Sequence, residues 1–276
     1  MPTGKRSVIL ALLLLSGCGG LFGTAAEPVS VQVGYKPFGI ARQILQDNPP
    51  MRLALAGTTA YAIPEEGDEV VVLDLERRVV EKRIPVGKNP MGLVVTADHR
   101  FTWVTNHHSG DVSVIDNAKG EVVKTLALGE NPCGIALSPD GKRIYITHHG
   151  GNKISVVRVE DYETVAVIGV GTGPMAVTLT PDGRLAYVVN EAENSVSVVD
   201  TEGYREVQRI PVGLAPKSAA ATTDGQWVYV ANSGSNSVSV VDVRKQAVVK
   251  TLPLDRSPVR VEVVSSGTGR DRLVVW

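Results

Sequence analysis

Four of the five histidines in the sequence stand in two matching pairs. The stretches FTWVTNHHSG (residues 101–110) and IYITHHGG (residues 144–151) each resemble a β-strand that ends in two histidines. His107 and His108 form the first pair, and His148 and His149 stand 41 residues later. Imidazole nitrogens are common ligands of zinc and copper. The spacing therefore predicts either a metal site or a pair of polar loop residues duplicated with a repeat.

A cysteine adds a second soft ligand to this region. Cys133 lies in ENPCG, directly before the strand that leads to His148 and His149. Thiolate and imidazole together suit copper or zinc, and imidazole is also an axial ligand of haem iron. We expect a candidate site of five side chains for copper, zinc or haem: Cys133, His107, His108, His148 and His149. A catalytic Cys–His pair is disfavoured because no orienting acid is evident beside it.

The N-terminus predicts export and lipid anchoring. MPTGKRSVILALLLLSGC has two basic residues, an apolar run too short to span a bilayer, and then small residues. LSGC resembles the lipobox of bacterial lipoproteins, in which Cys18 becomes the acylated first residue. We therefore expect a signal peptide over residues 1–17, a lipidated tether over 18–28 and a folded domain over 29–276. Gly19 follows the cysteine, which favours the outer membrane of a Gram-negative cell, facing the periplasm or the cell surface.

The charge of the mature chain is weakly acidic. Removal of residues 1–17 leaves 26 basic and 29 acidic side chains, a net charge of −3. Nucleic acid is therefore not an expected partner. If Cys18 carries lipid, Cys133 has no partner within the chain for a disulfide.

The chain repeats with a period of 42 residues. Each repeat contains four short apolar strands, a Gly-x-x-Pro turn and a hairpin such as Pro139-Asp140-Gly141, where glycine supplies a positive φ. Strands that are apolar on both faces must be covered on both sides. Four-stranded units with this period predict an all-β fold, a β-propeller. Prolines in phase mark the repeats: Pro90, Pro132, Pro174, Pro216 and Pro258.

The repeats carry a family resemblance. WVTNHHSGDVSVID, YVVNEAENSVSVVD and YVANSGSNSVSVVD, each followed by a turn and hairpin of these types, resemble the YVTN-family β-propeller repeat. The resemblance covers about residues 51–276. It implies the propeller fold and no particular activity, because fold does not fix function.

The number of blades follows from the repeats and the chain ends. Five full repeats run from about Met51 to Leu254, and a sixth stops after two strands. We expect residues 26–34, AEPVSVQVG, to provide an N-terminal strand that completes the last blade and closes a six-bladed ring. The alternative of seven blades, which the resemblance implies, would need most of a blade within residues 35–50.

The inner strands give little support to catalysis. They read MGLVVTA, CGIALS, MAVTLT and KSAAAT, and acids are confined to the far hairpins except for Glu262, two residues after Arg260 in the closing blade. A lactonase-type hydrolase, which would need carboxylates in the channel, is therefore the weakest hypothesis, and we lean against an enzyme.

The expected function is consequently binding. We predict a monomeric, lipid-anchored, non-catalytic binding or scaffold protein whose top-face loops contact a cell-envelope protein or a small ligand. The alternative is a metal- or haem-linked accessory protein of a periplasmic redox system that uses the histidines.

Overall fold

The computed structural model describes residues 30–32, 36–48, 50–265 and 271–276. The predicted signal peptide, tether and lipidated Cys18 lie outside the described residues. The described strands form five four-stranded antiparallel sheets and one three-stranded sheet. The prediction of an all-β propeller with four-stranded blades is confirmed.

Each of the first five blades is a meander whose strands follow the chain from the inner edge outward. Blade 1 contains β2 (Pro50–Ala56), β3 (Thr59–Pro64), β4 (Glu69–Asp74) and β5 (Val79–Pro85). Blade 2 contains β6 (Pro90–Val95), β7 (Phe101–Asn106), β8 (Asp111–Asp116) and β9 (Glu121–Ala127). Blade 3 contains β10 (Pro132–Leu137), β11 (Arg143–His148), β12 (Lys153–Arg158) and β13 (Thr164–Gly169).

The next two blades repeat this order. Blade 4 contains β14 (Pro174–Leu179), β15 (Leu185–Asn190), β16 (Ser195–Asp200) and β17 (Arg205–Pro211). Blade 5 contains β18 (Pro216–Ala221), β19 (Trp227–Asn232), β20 (Ser237–Asp242) and β21 (Ala247–Pro253), with a 3₁₀-helix at Ser233–Ser235.

The sixth blade combines the two ends of the described chain. β22 (Val261–Ser265) pairs antiparallel with β23 (Asp271–Val275), and β1 (Ser30–Gln32) pairs with β23 in parallel. The N-terminal strand thus joins the last blade as its third strand. Within the described residues this blade has no fourth strand.

The core lies between neighbouring blades. The aromatic residue of each second strand is buried, and Trp103, Tyr145 and Tyr187 are at most 1% exposed. Tyr187 packs with Val228 and Val241 of the following blade. Because a neighbouring blade covers most blade faces, the strands are apolar on both sides.

One helix takes the place of a blade neighbour. Helix α1 (Lys36–Ile44) packs Ala41 and the following Leu45 against Ala60 and Leu73 of blade 1. This is the face that the other blades present to a preceding blade. No helix within the described part of the chain is long and apolar enough to cross a membrane.

Candidate active site on the propeller axis

The inner strands of the six blades surround a cavity of about 350 Å³. Small residues let these strands approach closely. A Cβ added at Gly92 would lie 2.6 Å from the carbonyl oxygen of Cys133, and one at Gly134 would lie 2.6 Å from the carbonyl oxygen of Met175. Glycine is therefore required where β6, β10 and β14 meet.

One side of the cavity is charged. Arg260 and Glu262 line it and form an ion pair, with side chains only 19% and 28% exposed. The Nη1 atom of Arg260 is buried without a hydrogen-bond partner. Arg52 of β2 lines the same wall, and burial together with the nearby Arg260 lowers the pKa of Arg52 to about 10. This wall thus holds one carboxylate beside two guanidinium groups.

A second ion pair leads from the cavity to the rim. Lys217 of β18 lines the cavity and pairs with Glu191, which follows β15. The Oε2 atom of Glu191 lies 3.8 Å from Nε2 of His149. The cavity mouth therefore holds three cationic side chains and two carboxylates, counting both ion pairs and Arg52.

The structure brings three of the predicted histidines together at the top rim. The ring centroids of His107 and His108 are 5.2 Å apart, and those of His107 and His149, on adjacent blades, are 6.1 Å apart. Burial, followed by the charges of the two neighbouring histidines, lowers the pKa of His107. Nδ1 of His107 is buried without a hydrogen-bond partner.

His148 lies inside its blade, away from this group. Its Nδ1 is 3.1 Å from the carbonyl oxygen of Gly129, and its Nε2 is 2.8 Å from Oγ of Ser155. A carbonyl can only accept, so neutral His148 donates from Nδ1 and accepts the hydroxyl of Ser155 at Nε2. Blades 2, 4 and 5 make the equivalent bond from asparagine to serine, as between Asn190 and Ser197.

Cys133, the fifth predicted residue, faces the axis. It is 3% exposed and lines the cavity, with its Sγ 3.3 Å from Sδ of Met175. Among the residues that the structure describes, no group of three or more His, Cys, Asp or Glu side chains is arranged to hold a metal ion. The five-residue metal site stays a prediction, and its members occupy three separate places: the rim, the blade interior and the axis.

Because His148 is buried, we predict that the free energy of unfolding depends on pH. Burial lowers the pKa of His148 below its ordinary value, so the unfolded chain binds the proton more tightly than the folded one. Its contribution is complete above about pH 6.5 and is lost as pH falls towards the folded pKa. His148→Asn should therefore reduce the loss of unfolding free energy between about pH 7.5 and 5, measured by denaturant titration. His99→Asn, which removes an exposed imidazole, is the control and should leave the wild-type loss unchanged; an unchanged loss in His148→Asn would refute the assignment.

Three residues of the cavity mouth were missed in the sequence. Arg52 did not stand out because the first hairpin is two residues shorter than the others, which takes β2 out of the 42-residue step. β2 pairs Pro50 with Pro64, whereas β6 pairs Pro90 with Asn106. Lys217 and Glu191 occupy the repeat positions that hold Cys133 and His149 in blade 3. These two departures from the repeat could have pointed to the charged pair from the sequence.

A comparison with protein families decides the class of the chain. Residues 44–254 match the model described as "Lactonase, 7-bladed beta-propeller". The chain belongs to this lactonase family. The family description gives seven blades, whereas the described residues of this member form six sheets.

Solved structures share the fold at low identity. The chain resembles Kuenenia stuttgartiensis hydrazine synthase with a TM-score of 0.60 and 20% identity, over 83% of this chain and 96% of that one. A functionally unknown protein from Desulfotomaculum acetoxidans DSM 771 aligns with a TM-score of 0.65 and 20% identity, over 74% of this chain and 70% of that one. No curated protein sequence matches the chain.

The family membership corrects the functional prediction. The predicted non-catalytic binding or scaffold role was wrong, because the matching family is one of lactonases and the structural neighbours give no support to a scaffold. The inner-strand sequences disfavour a hydrolase because they contain few carboxylates. Glu262 nevertheless lines the cavity. The cationic side chains of Arg52, Lys217 and Arg260 line the same cavity.

Proposed function

We propose that this lactonase-family protein hydrolyses a small lactone in the axial cavity. The observation that carries the proposal is the wall on which the carboxylate of Glu262 stands beside Arg52 and Arg260. Ester hydrolysis needs a base to activate water and positive groups to stabilise the oxyanion. This wall offers both within one cavity.

The reaction follows from these three side chains. Glu262 accepts a proton from water while the water oxygen attacks the lactone carbonyl carbon. The guanidinium groups of Arg52 and Arg260 stabilise the resulting oxyanion, and the buried Nη1 of Arg260 has no hydrogen-bond partner among the residues that the structure describes. The intermediate then collapses with cleavage of the ring C–O bond, and Glu262 returns the proton to the leaving oxygen. Water and lactone give one hydroxy acid.

The charges of the cavity favour an anionic substrate. Three cations against two carboxylates leave one net positive charge, that of Arg52, because the Lys217–Glu191 and Arg260–Glu262 pairs are each neutral overall. The cavity of about 350 Å³ is at the small end of ligand sites. A lactone with a carboxylate or phosphate substituent therefore fits better than a large neutral one.

The proposal is tested by direct assay. A pH-stat experiment should record acid release from a five- or six-membered lactone bearing a carboxylate or phosphate, with a higher kcat/KM than for the neutral parent lactone. Arg52→Met should lower kcat for both lactones, because it removes a group that stabilises the oxyanion, and should raise the KM for the anionic lactone more than that for the neutral lactone. No acid release above the spontaneous rate from any of these lactones would overturn the proposal.

We also propose that the protein is a lipoprotein, on the strength of LSGC at residues 15–18. Cys18→Ser should abolish incorporation of labelled palmitate and move the protein from the membrane fraction to the soluble fraction, because the acyl chains provide the anchoring energy. Cys133→Ser is the matched control and should keep the label. Persistent membrane association of unlabelled Cys18→Ser would exclude lipid as the anchor.

A further inference from the structure

A row of sulfur-containing side chains crosses four consecutive blades. The second residue of the inner strand is a methionine or cysteine in blades 1 to 4, and a proline precedes each one. These residues are Met51, Met91, Cys133 and Met175. In blade 5 the position holds Lys217, so the row ends where the charged mouth begins.

Three of these four residues line one space. Met91, Cys133 and Met175 line the axial cavity, and Cys133 Sγ lies 3.3 Å from Met175 Sδ. The glycines that follow Met91 and Cys133 bring their strands together, since an added Cβ at either would touch the next strand's backbone. Met51 differs, because it packs against the core between blades 1 and 2.

The geometry points to a Cu(I) site formed by the Cys133 thiolate with the Met91 and Met175 thioethers. Thiolate and thioether are soft ligands that select Cu(I), whereas zinc prefers thiolate, imidazole or carboxylate in a tetrahedron. The imidazoles of His107, His108 and His149 lie at the rim and that of His148 lies inside blade 3, apart from the three sulfur-containing residues that line the cavity. This inference does not depend on the proposed hydrolysis.

Binding exchanges a proton for the metal ion. The S–H bond of Cys133 breaks, a Cu–S bond forms, and the proton leaves to solvent with no change in oxidation state. Burial raises the pKa of this thiol to about 11; Arg52 and Lys217 lower it and Glu191 raises it further. The Cu(I) affinity therefore includes the cost of removing the thiol proton.

Anaerobic competition against a chromophoric Cu(I) chelator tests the site. The protein should take up one Cu(I), and Cys133→Ser should weaken binding by more than about 100-fold, beyond the loss typical of an outer-shell change. Met175→Leu should weaken it by at least about tenfold. Met51→Leu is the matched control and should bind as the wild type does. A variant with His107, His108, His148 and His149 replaced by Asn should also bind normally, provided that circular dichroism shows the native fold.

Other results would overturn the site. These are no Cu(I) uptake by the native protein, equal loss in Met51→Leu and Met175→Leu, or loss of binding in the histidine variant with its fold intact. X-ray absorption at the copper edge gives an independent readout. A first shell of sulfur alone is expected, and a nitrogen-containing shell would assign the copper to the rim instead.

Discussion

Glu262→Gln should lower kcat/KM for lactone hydrolysis by about 100- to 10,000-fold, the range that a positioned general base contributes. Glutamine has nearly the same shape but cannot accept a proton from water at neutral pH. The amide keeps a hydrogen-bond acceptor facing Arg260, so the cavity wall should retain its shape. The measurement is the initial rate with an anionic lactone, normalised to folded protein.

Glu202→Gln is the control for this loss of a carboxylate. Glu202 is exposed in the turn after β16, and its removal should leave kcat/KM within about twofold, as expected for a surface change. Glu262→Ala adds a second readout, because formate can enter the vacated space and replace the missing carboxylate. Partial rescue by formate shows that Glu262→Ala lacks a carboxylate, and the shape-conserving Glu262→Gln distinguishes a base from a residue that only holds Arg260. Full activity of pure Glu262→Gln would exclude Glu262 as the base.

The repeat made most of the fold predictable. Strands that are apolar on both faces, with a hairpin aspartate every 42 residues, leave few arrangements other than blades packed face to face. Asp182 illustrates why the hairpin is so regular: its Oδ1 accepts from the hydroxyl of Thr180 at 2.6 Å and from the amide of Arg184 at 3.1 Å. Gly183 in the same hairpin has a φ of 72°. These bonds are local, so their sequence signature is local too.

The site was less predictable because it depends on the directions in which side chains point, which the repeat pattern does not specify. Cys133 and the histidines are close in sequence, yet the thiol faces the axis while the imidazole of His149 faces the rim. His148 shares a dipeptide with His149, but alternate side chains of an extended backbone point to opposite faces. A spacing of 41 or 42 residues therefore identified equivalent loops without telling which members of each pair meet.

The shape of the cavity also depends on how the first and the last blade meet. Arg52 belongs to the first blade and Arg260 to the last, so the distance between them depends on how the ring closes. The sequence pattern within a single repeat cannot predict that distance. The coulombic influence of Arg260 on the pKa of Arg52 reflects that approach. Helix α1 stands at the same closure, with the ring of Phe38 5.8 Å from that of Trp276 in the last blade.

Ala41→Glu should destabilise the protein by about 3 kcal/mol or more, because it places an unpaired charge at a fully buried position. Ala41 is 0% exposed and packs on a blade 1 face that, within the described part of the chain, is covered by α1 instead of a sheet. Loss of α1 from this face would uncover Ala60 and Leu73 and open the ring next to Arg52. We therefore expect a lower midpoint in urea and, at high protein concentration, association through the uncovered face.

Gln43→Glu separates this effect from a change in helix charge. Gln43 is exposed on the same helix, so the same negative charge there should alter stability by less than about 0.5 kcal/mol. If Ala41→Glu and Gln43→Glu unfold at the same urea concentration, α1 does not seal the ring. If only Ala41→Glu is destabilised and it also loses lactone hydrolysis before it unfolds, then the helix that covers blade 1 also holds Arg52 opposite Arg260, and ring closure is itself a requirement of the active site.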